Sequence, residues 1–308
     1  MNSHTAKLSP EQAEALRGIL AKRDFEPAEV PHAVFSYKRP SLKVTWYNSG
    51  KLLVQGKGTK EFIEFTLEPE VLVEAAFGGI LDAQPEQLVP RIGVDESGKG
   101  DFFGPLVVAG VYINESIART LDKLGIKDSK AIKSDKKIKK LAEGIRDIPG
   151  CVHSVVPIGN ASYNRLHQQM RNVNKILAWG HARVIENLLS QRDRMNPEPL
   201  RAISDQFSRS KSTIQSALME EGRQLELVQM YKAESDLAVA AASILARDVF
   251  VQRIKELGNE FDLELPKGAS SKVDQVGAEF LSKHGINKLG QAAKLHFRTT
   301  QKIQSRML

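Results

Sequence analysis

Arg91-Ile92-Gly93-Val94-Asp95-Glu96-Ser97-Gly98-Lys99-Gly100-Asp101-Phe102-Phe103-Gly104-Pro105 is the stretch on which the reading of this chain turns. A short apolar run delivers two adjacent carboxylates, Asp95 and Glu96, and the turn Gly98-Lys99-Gly100 follows at once. Glycines let a backbone come close to a ligand in conformations that other residues resist, and Lys99 between them is a compact point charge. Carboxylate oxygens suit hard divalent cations such as Mg²⁺, while backbone N–H groups and lysine suit phosphate or sugar. Both within six residues point to metal-assisted chemistry on a phosphorylated polymer or nucleotide. A P-loop is the nearest rival, because Gly93 to Lys99 fits G-x-x-x-x-G-K. Position 100 is glycine, however, where Ser or Thr should hold Mg²⁺, and Asp95 and Glu96 would repel phosphate from inside the cradle. The P-loop is rejected.

Outward from this segment the chain alternates strand and helix. Leu106 to Ile113 is an apolar, β-branched run suited to a strand beside the one carrying Asp95. Lys136 to Ile145 reads as an amphipathic helix, Val152 to Ile158 as a strand, and Asn174 to Arg194 as a long helix with Ile176, Leu177, Val184, Ile185, Leu188 and Leu189 as its apolar side. Leu200 to Ser204 is a short strand delivering Asp205, and Leu225 to Met230 a strand leading to Lys232-Ala233-Glu234. Leu237 to Ile254 reads as a buried helix. This order predicts an α/β fold, in which ligands gather at the carboxyl ends of strands. Nearer the N-terminus the texture differs. Ser9-Pro10-Glu11 opens a helix over 9–24 with Pro at its first position, and Lys43 to Tyr47 and Lys51 to Gln55 form a hairpin about Asn48-Ser49-Gly50. Glu61 to Thr66 is expected to add a strand, Glu70 to Phe77 a helix, and Gly78 to Pro90 a linker. Residues 1–85 therefore read as a small α+β module and 90–308 as the larger domain.

The 308 residues carry a formal net charge of +7, which favours a polyanionic partner. Residues 91–308 hold 34 Lys/Arg against 25 Asp/Glu, and Ser36 to Lys60 has six basic residues and no acidic one. Lys123 to Lys140 holds eight lysines against two aspartates, which is either a phosphate-facing surface or a solvated helix. No apolar run approaches the roughly 18 residues of a membrane span, and Met1 to Lys7 has no secretory apolar region. The single cysteine, Cys151, excludes an internal disulfide and a cysteine-based zinc site, so a cytoplasmic location is expected. The seven histidines lack metal-ligand spacing and are expected to be surface or packing residues.

With these residues in view, the chain resembles the type 2 ribonuclease H superfamily, and within it ribonuclease HIII. Asp95 to Pro105 is similar to the family signature over eleven residues. Further similar motifs follow in order: Asp128-Ser129-Lys130, Ser204-Asp205-Gln206-Phe207, Lys232-Ala233-Glu234-Ser235, Ala240 to Arg247, and Lys294-Leu295-His296-Phe297. Residues 1–85 resemble the TATA-binding-protein-like domain that sets HIII apart from HII. The resemblance implies a ribonuclease H-like mixed sheet flanked by helices, with an N-terminal α+β TATA-binding-protein-like domain that binds substrate. It implies four acids at the active site, Asp95, Glu96, Asp205 and Glu234, with Asp236 as the alternative fourth acid. It also implies that Gly98, Lys99 and Gly100 read ribose 2′-hydroxyls and that Ser129 and Lys130 contact phosphate.

The implied activity is an endonuclease that cuts the RNA strand of RNA–DNA hybrids with Mg²⁺ or Mn²⁺, two ions per active site, leaving 5′-phosphate and 3′-hydroxyl ends. Asp95 would bridge the two ions. No obligate protein partner and no membrane association are expected. Two other readings stay open: HII-like incision at single ribonucleotides embedded in DNA, and a non-catalytic hybrid-binding protein.

Overall fold

The computed structural model describes residues 3–63, 66, 67, 71, 88–126, 132, 134–205, 212–230 and 233–305. The chain divides into two compact units, Met1–Gln84 and Pro85–Leu308, and each holds one five-stranded sheet.

In the first unit β1 (Ser3–Lys7) is followed by α1 (Pro10–Lys22), β2 (Glu26–Pro27), β3 (Ala33–Arg39), β4 (Leu42–Tyr47), β5 (Lys51–Gln55) and the single-turn α2 (Thr59–Phe62). The strands are antiparallel in the order β1-β5-β4-β3-β2. α1 starts where Ser9 and Gln12 complete a capping box, with Pro10 in its first turn, which satisfies amide groups that a helix start leaves open. It buries Ala13, Leu16 and Leu20 against the sheet residues Leu42, Val44, Leu52 and Val54. Trp46 packs on the same core, so strand alternation sends Tyr47 to the other face. β1 goes beyond the expectation, because Ser3 to Lys7 has no apolar alternation; it is an edge strand recruited by backbone pairing with β5. The strand expected over Glu61 to Thr66 is not formed where residues are described, since α2 already covers 59–62. The described residues 63, 66, 67 and 71 are helical too, with Phe62, Thr66, Leu67 and Val71 buried. Apart from Val71, the expected Glu70–Phe77 helix lies outside the described residues, as does most of the linker.

The second unit runs β6 (Arg91–Ser97), β7 (Leu106–Ile113), α3 (Glu115–Lys123), α4 (Asp135–Arg146), β8 (His153–Ile158), α5 (Asn160–Met170), α6 (Val173–Leu189), β9 (Arg201–Asp205), α7 (Ser212–Gln215), β10 (Glu226–Met230), α8 (Leu237–Glu260), α9 (Ser271–His284), α10 (Ile286–Ala292) and α11 (Arg298–Ser305). The sheet order is β10-β9-β6-β7-β8. β10, β9 and β6 are mutually parallel and β7 and β8 antiparallel, so the sheet is mixed. α6 stops at Leu189, short of the expected Arg194. The residues Ser190 to Arg194 have nothing apolar to bury, and Arg192–Arg194 form a 3₁₀ turn instead. Helices α9 to α11 lie outside the sequence expectation.

Two helices sandwich the sheet. α6 packs Ile176 and Leu177 against Leu106 and Ile158, while Val239 of α8 packs against Ile203 and Val228 on the other face. The contact of α8 with β6 is backbone on backbone: a Cβ at Gly93 would stand 2.2 Å from the carbonyl carbon of Ala238, so only glycine fits. At the same end, the fully buried Arg91 donates from Nε to Asp236 Oδ2 at 2.8 Å and from Nη1 to the Val89 carbonyl at 2.8 Å. Asp236 Oδ1 accepts from the amides of Ala238 and Val239, capping α8. One carboxylate thus starts the helix and anchors it to β6. Replacing one member of a buried ion pair leaves the other charge uncompensated, at about 3–5 kcal/mol. Arg91→Ala is therefore expected to lower the thermal midpoint by about 10 °C in calorimetry, and an unchanged midpoint would contradict this anchoring role.

Candidate active site

The acids gather at the carboxyl ends of the parallel strands. Val94 pairs with Ser204 as the last pair of the β6–β9 ladder, so Asp95 and Asp205 are the next residues on two neighbouring strands that run about 4.8 Å apart where they pair. Asp205 is the last residue of β9 and pairs with Met230, the last of β10. Glu234 is half-buried in the one-turn 3₁₀ helix Ala233–Ser235 that joins β10 to α8. Asp236 has both oxygens engaged, by Arg91 and by the cap of α8.

Consecutive strand residues point to opposite faces, and this divides the Asp95–Glu96 pair. Asp95 shares the face of Gly93, under α8, where the Ser243 hydroxyl donates to it. Glu96 shares the face of Val94 and Ser204, under α6, where its Oε2 lies 3.0 Å from His181 Nε2 and its Oε1 3.4 Å from Lys99 Nζ. Among the described residues no three His, Cys, Asp or Glu side chains are grouped to hold one ion between them. The four acids expected to converge therefore stand as Asp95 and Asp205 on one face, Glu234 at the turn entering α8, and Glu96 turned to His181 and Lys99.

The two neighbours titrate in opposite directions. Burial, and then repulsion by Glu96, pushes the Asp95 carboxyl up to about 7 against the help of Ser243. Burial acts upward on Glu96 too, but the hydrogen bond and charge of His181, together with Lys99, outweigh it and hold that carboxyl below its ordinary value. Glu96 keeps 11% of its side chain exposed, enough for an ion to reach it and too little for free hydration. Carboxylate oxygens that repel one another in a poorly hydrated place are the donor set a hard divalent cation prefers. The residues present fit such an ion.

Immediately after β6 comes the glycine loop. Gly98 has φ +90°, and a Cβ there would meet the Pro105 carbonyl at 2.2 Å, so the fold itself requires glycine. The loop is held from behind by Lys294, fully buried, which donates to the carbonyls of Asp101 at 2.8 Å and Gly104 at 2.5 Å and lies 5.7 Å over the Tyr163 ring. Burial pushes the Lys294 amine down to about 7, opposed by Asp101. Asp101 in turn accepts from the Gly268 amide at 2.6 Å. Ser129 and Lys130 lie outside the described residues, as does Lys232. Sequence reasoning misses His181; the available signal is its place on the apolar stripe between Leu177 and Val184, where a histidine must find partners. Asp248 of α8 is buried and paired with Arg146 at 2.8 Å.

A family model described as Ribonuclease HII matches residues 92–300. Ribonuclease HIII of Chlamydia trachomatis serovar L2 is 42% identical over 98% of this chain and 97% of its own length. The chain belongs to the ribonuclease HIII family. Ribonuclease HIII of Protochlamydia amoebophila is 43% identical over 94% of this chain and 93% of its own. The crystal structure of Bst-RNase HIII in complex with Mn²⁺ is 30% identical, covers 99% of this chain and 98% of that one, and superposes with a TM-score of 0.66. A second model, Domain of unknown function (DUF3378), matches residues 4–72, within the first unit. As a member of the family the chain is a ribonuclease H endonuclease, and its chemistry depends on a divalent metal. Among the described residues no helix is long and apolar enough to cross a membrane.

The raised Asp95 carboxyl gives a pH dependence of definite sign. Between its ordinary value of 3.8 and about 7, the folded state binds the proton and the unfolded state does not, so stability falls as pH rises through that window. In metal-free protein, Asp95→Asn is expected to raise the thermal midpoint by several degrees at pH 8 and to change little at pH 4. Calorimetry in the presence of a chelator measures this, and a variant less stable than the parent at pH 8 would contradict the repulsion described above.

Proposed function

We propose that this ribonuclease HIII hydrolyses the RNA strand of RNA–DNA hybrids, leaving 5′-phosphate and 3′-hydroxyl ends. In this reading Asp95, Glu96, Asp205 and Glu234 would hold two Mg²⁺ or Mn²⁺ ions, with Asp95 as the ligand common to both. The observation that carries it is Asp95 itself: a half-buried carboxyl at a strand end beside Asp205, pushed up to about 7 by burial and by Glu96. A pair of bound divalent ions supplies an activated water and a stabilised leaving 3′-oxygen.

The chain's own groups do the rest. Ser243 orients the Asp95 carboxylate from α8. Lys99, its side chain 41% exposed, sits at the surface beside Glu96 to meet a phosphate of the bound strand. Gly100 differs from Gly98, because nothing lies within 4 Å of a Cβ built there and its φ is not left-handed. The fold does not demand glycine at that position, and a strand backbone pressed against the loop does. The 2′-hydroxyl distinguishes RNA from DNA at a given site, and the amides of this loop are proposed to check for it. Ser129 and Lys130 are proposed to contact phosphate.

The first unit is proposed to bind the duplex. Strands β1, β3, β4 and β5 contain no acidic residue, and their pairing registers put Lys7, Lys38, Lys43 and Lys51 on the face opposite Trp46. Phosphate neutralisation by such a face gives affinity that falls with salt.

Two outcomes are expected with a labelled hybrid and Mn²⁺ or Mg²⁺. Asp95→Asn reduces cleavage to background while hybrid binding survives; equal loss of both would count against a ligand role. Removal of residues 1–84 raises KM with kcat held within about twofold, since phosphate affinity is lost and the chemical step is not, and an unchanged KM refutes the binding role. A duplex with one embedded ribonucleotide, compared with one carrying a four-ribonucleotide tract, separates HII-like incision from hybrid cleavage.

A further inference from the structure

His181 is the only histidine of α6, and its side chain has no exposed surface. It lies on a helix side otherwise made by Ile176, Leu177, Val184, Ile185 and Leu188. A polar ring buried among aliphatic residues needs partners, and it has them on two strands. Nε2 stands 3.0 Å from Glu96 Oε2 at the end of β6, and Nδ1 stands 3.1 Å from Ser204 Oγ near the end of β9. We infer that His181 is a positioning residue that fixes the Glu96 carboxylate for metal binding, with Ser204 holding the ring at its other nitrogen.

The inference rests on the proposed role of Glu96 as a metal ligand. An ionised carboxylate only accepts, so Nε2 is assigned as the N–H donor to Glu96, while Nδ1 is paired with the Ser204 hydroxyl, whose single hydrogen is shared between the ring and the Asp205 carbonyl at 3.1 Å; these hydrogens are assigned from the network. The two carboxylate oxygens are thereby made unequal. Oε2 is held by a buried ring that cannot turn without breaking its bond to Ser204. Oε1 has the longer contact, 3.4 Å to the partly exposed Lys99, and is the oxygen offered to a cation. The same ring ties Ser204, and with it the neighbouring Asp205, to the end of β6. Outer groups that orient ligands in this way are worth about 10- to 100-fold in metal affinity. A serine, a histidine and a glutamate in one chain of hydrogen bonds could also serve a hydrolytic nucleophile, but Ser204 is 1% exposed and no substrate reaches its hydroxyl.

The test uses the full-length protein without substrate and Mn²⁺ alone, with free ion measured by electron paramagnetic resonance. It compares His181→Ala, His181→Gln, Ser204→Ala and Glu96→Gln, alongside kcat and KM on a hybrid and the thermal midpoint. His181→Ala is expected to weaken Mn²⁺ binding by about 10- to 100-fold and to lower kcat with KM unchanged. His181→Gln, whose side-chain amide keeps a donor for Glu96, is expected to recover most of both. Ser204→Ala is expected to lose part of the affinity at an unchanged thermal midpoint. Equal losses for Ala and Gln, in step with a lowered midpoint, would make His181 a packing residue and overturn the inference. Wild-type affinity in Glu96→Gln would remove the ligand reading and the inference with it. Lost affinity in Glu96→Gln with affinity kept in the His181 variants would overturn the inference alone. If His181→Ala does not fold, Ser204→Ala decides, and an unchanged affinity there overturns it.

Discussion

The close approach of α8 to β6 is the constraint from which the rest of the catalytic unit follows. Gly93 admits the helix backbone where any side chain would collide, and the buried Arg91–Asp236 pair fixes the first turn of that helix to the first residue of the strand. Once the helix starts there, Ser243 falls over Asp95, and Glu234 is held in the turn just before the helix. On the other face α6 packs against β7 and β8 and brings His181 to Glu96. Each of two adjacent carboxylates thereby receives a partner from a different helix.

The alternation of a strand has an electrostatic consequence at this site. Two acids in succession cannot both turn to one face, so they experience different surroundings in spite of being neighbours. Glu96 meets His181 and Lys99 and is held low; Asp95 meets burial and the Glu96 charge and is pushed up. Held as neighbours, the two carboxylates repel one another until Asp95 takes up a proton, and the stability lost above that pH is an expected cost of such a site. The strong local order around it, from the Asp236 cap to the Lys294 clamp behind the glycine loop, holds the acids in place against that repulsion.

Much of this is legible in the residues. The β6 run, the apolar β7 strand and the capped start of α1 carry unambiguous local signals, and the motif order from Asp95 to Lys294 discloses the family. Other features depend on tertiary context. Ser3 to Lys7 is a strand only because β5 offers an edge. The run Glu61 to Thr66 misleads because so short a mixture of apolar and charged residues does not fix a period, and its first residues continue α2 instead. The choice between Glu234 and Asp236 needs the Arg91 side chain, 145 residues away. His181 stays hidden because its partners come from two strands, and spacing along one helix cannot show them.

The central claim is that Asp95, Glu96, Asp205 and Glu234 serve one divalent-metal centre at the ends of β6, β9 and the turn into α8. Anomalous diffraction from crystals of this protein grown with Mn²⁺ tests it directly. The account requires anomalous density within coordination distance, about 2.0–2.3 Å, of Asp95 and of carboxylates from the other three positions, with Glu96 rotated no further than its His181 bond allows. Density elsewhere on the chain, or at this place with Asp95 outside the coordination shell, would contradict it.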